Sequence, residues 1–315
     1  MADNINTSAS TSLKIAQKVK DYFQLMKFTL SFTVVFSCVI CYLLAPNVQV
    51  NNSDTVIKVI LLFIGGMLVT GSANAINQAV EKDTDALMKR TGKRPVAAGR
   101  MEAQEAYVFA LVAGVIGVVI MYRFFNLSAA LLSAFSLFLY AYIYTPLKKV
   151  NSIAVLVGAL PGALPCLIGW VAATGLVSPS AEFQVDGNTC SNFGGWALFC
   201  IQFLWQFPHF WAIAWVAHGD YSRAGFKLLP ADKGPTRFTA IQAIMYSVLM
   251  IPVGLLPYQF HVSGQISLVI VLICNVLMVV QCLRLYKDMD VKAARRVMFS
   301  SYIFVIKSCY YKFLF

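Results

Sequence analysis

"VIKVILLFIGGMLVTGSANAINQAVEKDTDALMKR", residues 56–90, is the stretch whose reading decides the fold. Its first part, Val56–Ile76, is an apolar run interrupted by Lys58, Thr70, Ser72 and Asn74. At ~1.5 Å per residue it is long enough to cross about 30 Å of hydrocarbon as a helix. If that helix continues, Asn77, Glu81 and Asp85 recur every fourth residue and share one face. The stripe would be ~12 Å long. Directly after it come Lys89, Arg90, Lys93 and Arg94. A chain leaving a membrane thus lays down oxygen ligands and then a run of cations.

Outward from this stretch the same pattern repeats. The 315 residues are 59% hydrophobic and 12% charged, with mean hydropathy +0.69, whereas soluble domains are about one quarter charged. Apolar windows of spanning length lie near Phe28–Leu44, Val56–Ile76, Ala106–Met121, Leu127–Ile143, Ile153–Ala173, Gly194–Ala217, Phe238–Leu256 and Ile266–Leu285, with a weaker ninth at Val297–Ile306. These runs are continuous, not alternating at period two, so they predict an all-α integral membrane bundle and not a barrel. A polar arm, residues 1–27, precedes a single transmembrane domain, 28–315, whose halves fall at about 28–150 and 151–285. The arm shows no short apolar core with a small-residue cleavage site, so no signal peptide is expected.

The net charge of +11 is not spread evenly. Cations occupy the arm (Lys14, Lys18, Lys20, Lys27) and alternate loops: Lys82 to Arg100, Lys148 and Lys149, Arg223 to Arg237, and Lys287 to Arg296. The intervening loops carry Arg123 and, at a span edge, Lys58. This is the positive-inside pattern, which places the N-terminus and the basic loops in the cytoplasm; it argues against nucleic acid as the partner. Of the eight cysteines, Cys38, Cys41, Cys166, Cys200, Cys274 and Cys282 lie within spans, where they read as small apolar residues and not as a disulfide framework. Cys38-x-x-Cys41 lacks the second pair a metal site would need.

The two longest basic loops follow the second and sixth spans, as a two-fold repeat of four spans would place them. The second, "HGDYSRAGFKLLPADKGPTR", sets Asp220 where the first has its acids, then Arg223 and Lys227. Oxygen-only ligands suit a hard ion such as magnesium, which takes one or two carboxylates from protein. Neighbouring Arg and Lys side chains suit phosphate oxygens. Carboxylates alone would repel a diphosphate, so both signs together fit a magnesium-bridged diphosphate held by Asn77, Glu81, Asp85 and Asp220 with Arg90, Lys93, Arg94, Arg223 and Lys227. The plain alternative is a solvated helix end.

The strings "NQAVEKDTDALMKRTGKRPVAAGR", "YTPLKK" and "PHFWAIAWVAHGDYSRAGFKLLP", with the span layout, resemble the UbiA superfamily of intramembrane prenyltransferases, and within it the branch that forms haem O. The resemblance runs from about Asp21 to Arg296. It implies a UbiA-like bundle of eight to nine helices in two four-helix halves. It also implies transfer of a farnesyl group from farnesyl diphosphate to a vinyl group of haem b, with magnesium as cofactor. By position it makes Asn77, Glu81 and Asp85 the first magnesium–diphosphate motif and Asp220 the start of the second. Arg90, Arg94 and Lys148 would bind diphosphate, Asp85 and Lys148 would act in catalysis, and Tyr144 would lie near the allylic group. The second motif departs from the aspartate-rich pattern of other branches, since "YSRAG" follows Asp220. The membrane implied is a bacterial plasma membrane, and haem A synthase or a terminal oxidase assembly are the implied partners beyond lipid.

Haem as substrate draws attention to three histidines. His209, inside the sixth span beside Pro208, is the candidate for haem contact, against the alternative that it satisfies carbonyls freed by the proline. His218 reads as a loop residue and His261 lies at the other side. Trp205, Trp211 and Trp215 read as packing. Two other functions stay open: a superfamily member using an aromatic quinone precursor, and a membrane transporter.

Overall fold

The computed structural model describes residues 2–50, 52–231 and 234–309, with side chains from 14 to 302 of these. The chain begins with α1 (Ala2–Leu25) and turns into α2 (Phe28–Leu44); α3 (Ser53–Val80) is followed by the short α4 (Lys82–Ala86). Then come α5 (Ala103–Phe124), α6 (Leu127–Phe138), a π-helical stretch (Leu139–Tyr144), α7 (Thr145–Leu147) and α8 (Ala154–Thr174). A hairpin of β1 (Glu182–Val185) and β2 (Asn188–Ser191) leads to α9 (Phe193–Val216) and α10 (His218–Arg223). The remainder is α11 (Arg237–Val253), α12 (Leu256–Gln259), α13 (Gln265–Asp288) and α14 (Val291–Cys309).

Among the described residues, seven helical units are long and apolar enough to cross a bilayer; α2 makes an eighth with α1, across a 50° bend. The sequence expectation is met to within a few residues at each end. Two boundaries carry a physical reason: Asn52 accepts from the Asp54 amide at the start of α3, and Asn126 accepts from the Ala129 amide at the start of α6. Three features differ from expectation. The arm is a helix, α1. The segment after Arg296 belongs to α14, which packs on α9 and α13; the side chain of Lys307, and Lys312 altogether, lie outside the described residues. The connector between α8 and α9 contains the hairpin, closed by Asp186 and Gly187, both at positive φ (51° and 80°) as a two-residue turn requires.

α2, α3, α5, α6 and α8 pack as neighbours, and α8, α9, α11, α13 and α14 do likewise, with α8 common to both sets. Leu62, Met121 and Leu167 fill the first core; Phe207, Trp211, Met250 and Met278 fill the second. Hydrocarbon offers no hydrophobic drive between helices, so close backbone approach has to supply the packing. Gly169 is where α2 and α8 approach: a Cβ there would lie 1.9 Å from the Cys38 carbonyl oxygen. Pro165 inside α8 frees the Pro161 carbonyl, which Ser136 Oγ reaches at 3.4 Å.

Candidate active site

The oxygen stripe forms, but not on one unbroken helix. α3 ends at Val80, Glu81 takes φ −93° and ψ 14°, and α4 resumes at Lys82. The helical ladder survives the kink, since the Glu81 amide bonds the Asn77 carbonyl at 3.0 Å and the Asp85 amide bonds the Glu81 carbonyl at 2.7 Å. Asn77, Glu81 and Asp85 therefore stay on one face, and all three are buried.

Buried carboxylates need partners, and each member of the stripe has a cation from a different segment. Lys27 Nζ donates to Asn77 Oδ1 at 2.9 Å. Lys148 Nζ pairs with Glu81 Oε1 at 2.5 Å. Arg94 Nη1 pairs with Asp85 Oδ2 at 2.6 Å. The other Asp85 oxygen, Oδ1, is buried without a hydrogen-bond donor. An unbonded anionic oxygen of this kind costs free energy unless something positive fills the place, so the donor set fits a hard cation.

Lys27 was not legible as a site residue. It lies in the turn between α1 and α2 with φ 49° and ψ 54°, left-handed and uncommon for lysine. Two polar residues of the α3 face, with Ser31 of α2, enforce that turn. Gln78 Nε2 donates to the Gln24 and Leu25 carbonyls, Asn74 Nδ2 donates to the Met26 carbonyl and Ser31 Oγ, and Ser31 Oγ donates to the Met26 carbonyl. The turn is thereby satisfied by the same helix that carries the stripe, and Lys27 is aimed at Asn77. Burial, with Arg94 and Lys148 close by, holds its ammonium well below its ordinary pKa.

A second wall comes from the π-helical stretch, a form that concentrates at functional sites. Thr145 Oγ1 donates to the Tyr140 carbonyl and sits 3.3 Å from Asn77 Nδ2. Tyr140 and Tyr144 stand with ring centroids 5.2 Å apart. Lys148 Nζ lies over the Tyr144 ring at 4.8 Å and over Phe226 at 5.4 Å, so Lys148 is held by π-faces as well as by Glu81.

The second basic loop closes over the first. The Lys227 amide donates to the Lys148 carbonyl at 2.8 Å, Arg90 Nη2 donates to Tyr221 Oη at 3.1 Å, and Met88, Ala224 and Phe226 form one buried cluster. Arg90, Lys93, Arg223 and Lys227 are exposed around this rim. Asp220 reaches the same end of the bundle but is ion-paired with Arg223. Among the described residues no three His, Cys, Asp or Glu side chains group as a metal site. The stripe and Asp220 are therefore not gathered into one acid cluster: Asn77 is the stripe's third ligand candidate, and Asp220 would need to leave Arg223 to join.

His209 lies seven residues before the end of α9, ~10 Å from it along the helix axis. Its ring stacks on Trp205 (4.8 Å) and meets Tyr302 edge-on (5.0 Å). Nδ1 is 2.7 Å from Ser301 Oγ, and Ser301 Oγ donates to the Met298 carbonyl at 2.6 Å. With its one proton so used, the hydroxyl accepts from His209. Neutral His209 then carries its proton on Nδ1, leaving the Nε2 lone pair unspent.

The family model described as the UbiA prenyltransferase family matches residues 34–304. The chain belongs to the UbiA prenyltransferase family. A relative from Cytophaga hutchinsonii named "Protoheme IX farnesyltransferase" is 43% identical over 294 residues, covering 92% of this chain and 96% of that one. Among solved structures, one titled for the biosynthesis of digeranylgeranylglyceryl phosphate synthase in membranes superposes with TM-score 0.72 at 20% identity, covering 93% and 96% of the two chains. A UbiA homologue from Archaeoglobus fulgidus, bound to GPP and Mg2+, has TM-score 0.61 at 15% identity and covers 91% and 98%. As a member of the UbiA family the chain is a multi-pass integral membrane prenyltransferase.

Proposed function

We propose that this chain transfers a farnesyl group from farnesyl diphosphate to a vinyl group of haem b, with Asn77, Glu81 and Asp85 forming its magnesium–diphosphate site. One observation carries the site: three stripe residues each hold a separate cation while Asp85 Oδ1 remains unbonded. Asn77, Glu81 and Asp85 would hold the ion, and Asp220 would join if it exchanged Arg223 for metal. Lys27, Lys148 and Arg94 would then turn to phosphate oxygens, with Arg90, Lys93, Arg223 and Lys227 as further donors at the rim. Bound there, magnesium would stabilise the negative charge that develops on the leaving diphosphate.

The allylic carbon–oxygen bond breaks with its electron pair departing on diphosphate. The Tyr140 and Tyr144 rings lie beside the stripe, where π-faces favour the positive charge left on the prenyl carbon and exclude water from it. The vinyl π-bond attacks that carbon, water adds to the resulting cation, and a proton is released, giving the hydroxyethyl group of haem O. His209 Nε2 is the proposed iron contact, since a histidine fixed through Nδ1 with Nε2 free is the form that ligates metal. Substituting His209 with Gln should weaken haem binding, read as a loss of the Soret shift on haem addition; an unchanged spectrum would exclude the contact.

The name of the Cytophaga hutchinsonii relative supports haem as acceptor. The clustering of cations at the site end supports a cytoplasmic site in a bacterial plasma membrane, from which haem O would pass to a haem A synthase or an oxidase assembly. The test is product mass. Membranes containing this chain receive farnesyl diphosphate, magnesium and either haem b or 4-hydroxybenzoate. A porphyrin heavier by farnesyl plus hydroxyl is expected; prenylated benzoate, or no diphosphate release, overturns the reading.

A further inference from the structure

α1 does more than lead into the bundle. Between Lys14 and Leu25 one of its faces is clamped: Asp21 pairs with Arg100 at 3.0 Å, and Lys18 and the Tyr22 hydroxyl both reach Glu105 at 2.7 Å. Leu25 is fully buried below them. Positions 18, 21, 22 and 25 are one helical face. Beside it runs a second stripe, Ile15, Val19 and Phe23, spaced every fourth residue and respectively 61%, 50% and 49% exposed. Nothing in the chain's described residues covers it.

The stripe does not end at the bend. Phe23 contacts Phe28 (ring centroids 5.1 Å), Phe28 contacts Phe32 (6.4 Å), and Phe32 contacts Phe36 (6.2 Å). Phe28, Leu30 and Phe32 are themselves exposed on the outside of α2, a surface that a spanning helix presents to lipid. The apolar path therefore leaves the hydrocarbon on α2, rounds the 50° bend and continues along α1. Lys14 and Lys20 are exposed along the same helix, and exposed Lys82, Lys89 and Lys93 add basic groups at this end of the molecule. Lys20 borders the apolar stripe and Lys14 lies on the face of Lys18 and Asp21, both off the stripe; an amphipathic helix of this kind, continuous with a spanning surface, has the chemistry of a helix lying in the headgroup layer.

We infer that residues 14–23 of α1 dock on an anionic phospholipid leaflet, with Ile15, Val19 and Phe23 entering the acyl boundary and Lys14 and Lys20 meeting lipid phosphates. The position has a consequence for the site. α1 ends at the turn that aims Lys27, and that turn is bonded to α3 through Gln78 and Asn74. Headgroup binding would hold the helix on which this turn depends. A second copy of the chain or a soluble protein would also cover an apolar stripe, but neither accounts for its continuity with the surface of α2 or for the basic surroundings.

The test uses the full chain in nanodiscs of equal phosphatidylcholine and phosphatidylglycerol. Benzoylphenylalanine is placed in turn at Val19, Phe23 and, as an inward control, Leu25; preparations retaining prenyl transfer are irradiated and weighed intact. Phospholipid adducts are expected at 19 and 23, with phosphatidylglycerol captured at least threefold more than phosphatidylcholine, and none at 25. The Lys14→Gln/Lys20→Gln double variant should keep the adduct and lose the enrichment. A cross-linked dimer, a protein adduct, or photoproduct without lipid at 19 and 23 overturns the docking; unchanged enrichment in the double variant overturns the role of the lysines. Since the readout is lipid capture, it stands whatever acceptor the enzyme prenylates.

Discussion

Replacing Asp85 with Asn tests whether the stripe binds metal or merely braces a loop. The change keeps the shape of the side chain and an acceptor for Arg94 while removing one negative charge. If Asp85 serves only Arg94, the loss is the difference between a charge-assisted and a neutral hydrogen bond, about 1 kcal/mol. The larger cost of breaking a buried pair, about 3–5 kcal/mol, does not apply in full, because the Arg94 side chain keeps 20% of its surface in solvent. A loss of this size shifts the melting temperature by a few degrees. If Asp85 is an ion ligand, the loss falls on the transition state. Removing one preorganised charge-stabilising group typically costs ~10²–10³ in kcat, and the magnesium midpoint should rise by roughly 10-fold or more. The assay is haem O formation and diphosphate release across a magnesium titration, paired with a melt in detergent. Activity within threefold of the parent at an unchanged magnesium midpoint would refute the metal assignment.

Lys27→Gly separates the side chain from its backbone conformation, because glycine adopts φ 49° without strain; KM for farnesyl diphosphate should rise about 10-fold, one charge-assisted contact, while Lys27→Arg retains most activity. Gly169→Ala places a methyl 1.9 Å from the Cys38 carbonyl oxygen, so α2 and α8 must separate; overpacking of about 1–3 kcal/mol should appear as a lower melting temperature with kcat and KM changed little in the protein that folds. Asn192→Ala breaks the bond from Trp170 Nε1 (2.8 Å) and the bonds to the Leu176 and Ser178 carbonyls (3.1 and 2.7 Å). It should cost about 2–4 kcal/mol at the end of the bundle far from the site, and unaltered stability would show the hairpin to be dispensable.

The spans were legible because their signal is local: length and apolar content over one window fix a membrane helix. The stripe was legible for the same reason, since i, i+4 and i+8 are set by the helix alone, and its kink at Glu81 left that register intact. The hairpin was not, because two four-residue strands among polar residues carry little periodic signal. Neither was the pairing of Asp220 with Arg223, where the sequence offers several cations at similar spacing. The setting of His209 depends on Ser301 and Tyr302, 92 and 93 residues away, in a segment whose apolar run is too short to announce a buried helix.

The site shows where local reading stops. The sequence sets a dense run of cations at 89–94, directly after the acids, and proximity along the chain suggests that these neutralise the stripe. In the folded protein Arg94 does so, but Lys89 and Lys93 face outward and Arg90 bridges to Tyr221. The other two basic residues on the stripe come from far away: Lys27 is 50 residues before Asn77, and Lys148 follows α7, whose Thr145 is 68 residues after Asn77. Three basic side chains therefore face two carboxylates in one buried cluster, donors that an entering diphosphate would draw to its own oxygens. Three segments supply them, so the site's charge balance is a property of tertiary structure, and any variant that loosens the α1–α2 turn should weaken diphosphate binding without touching the acidic stripe.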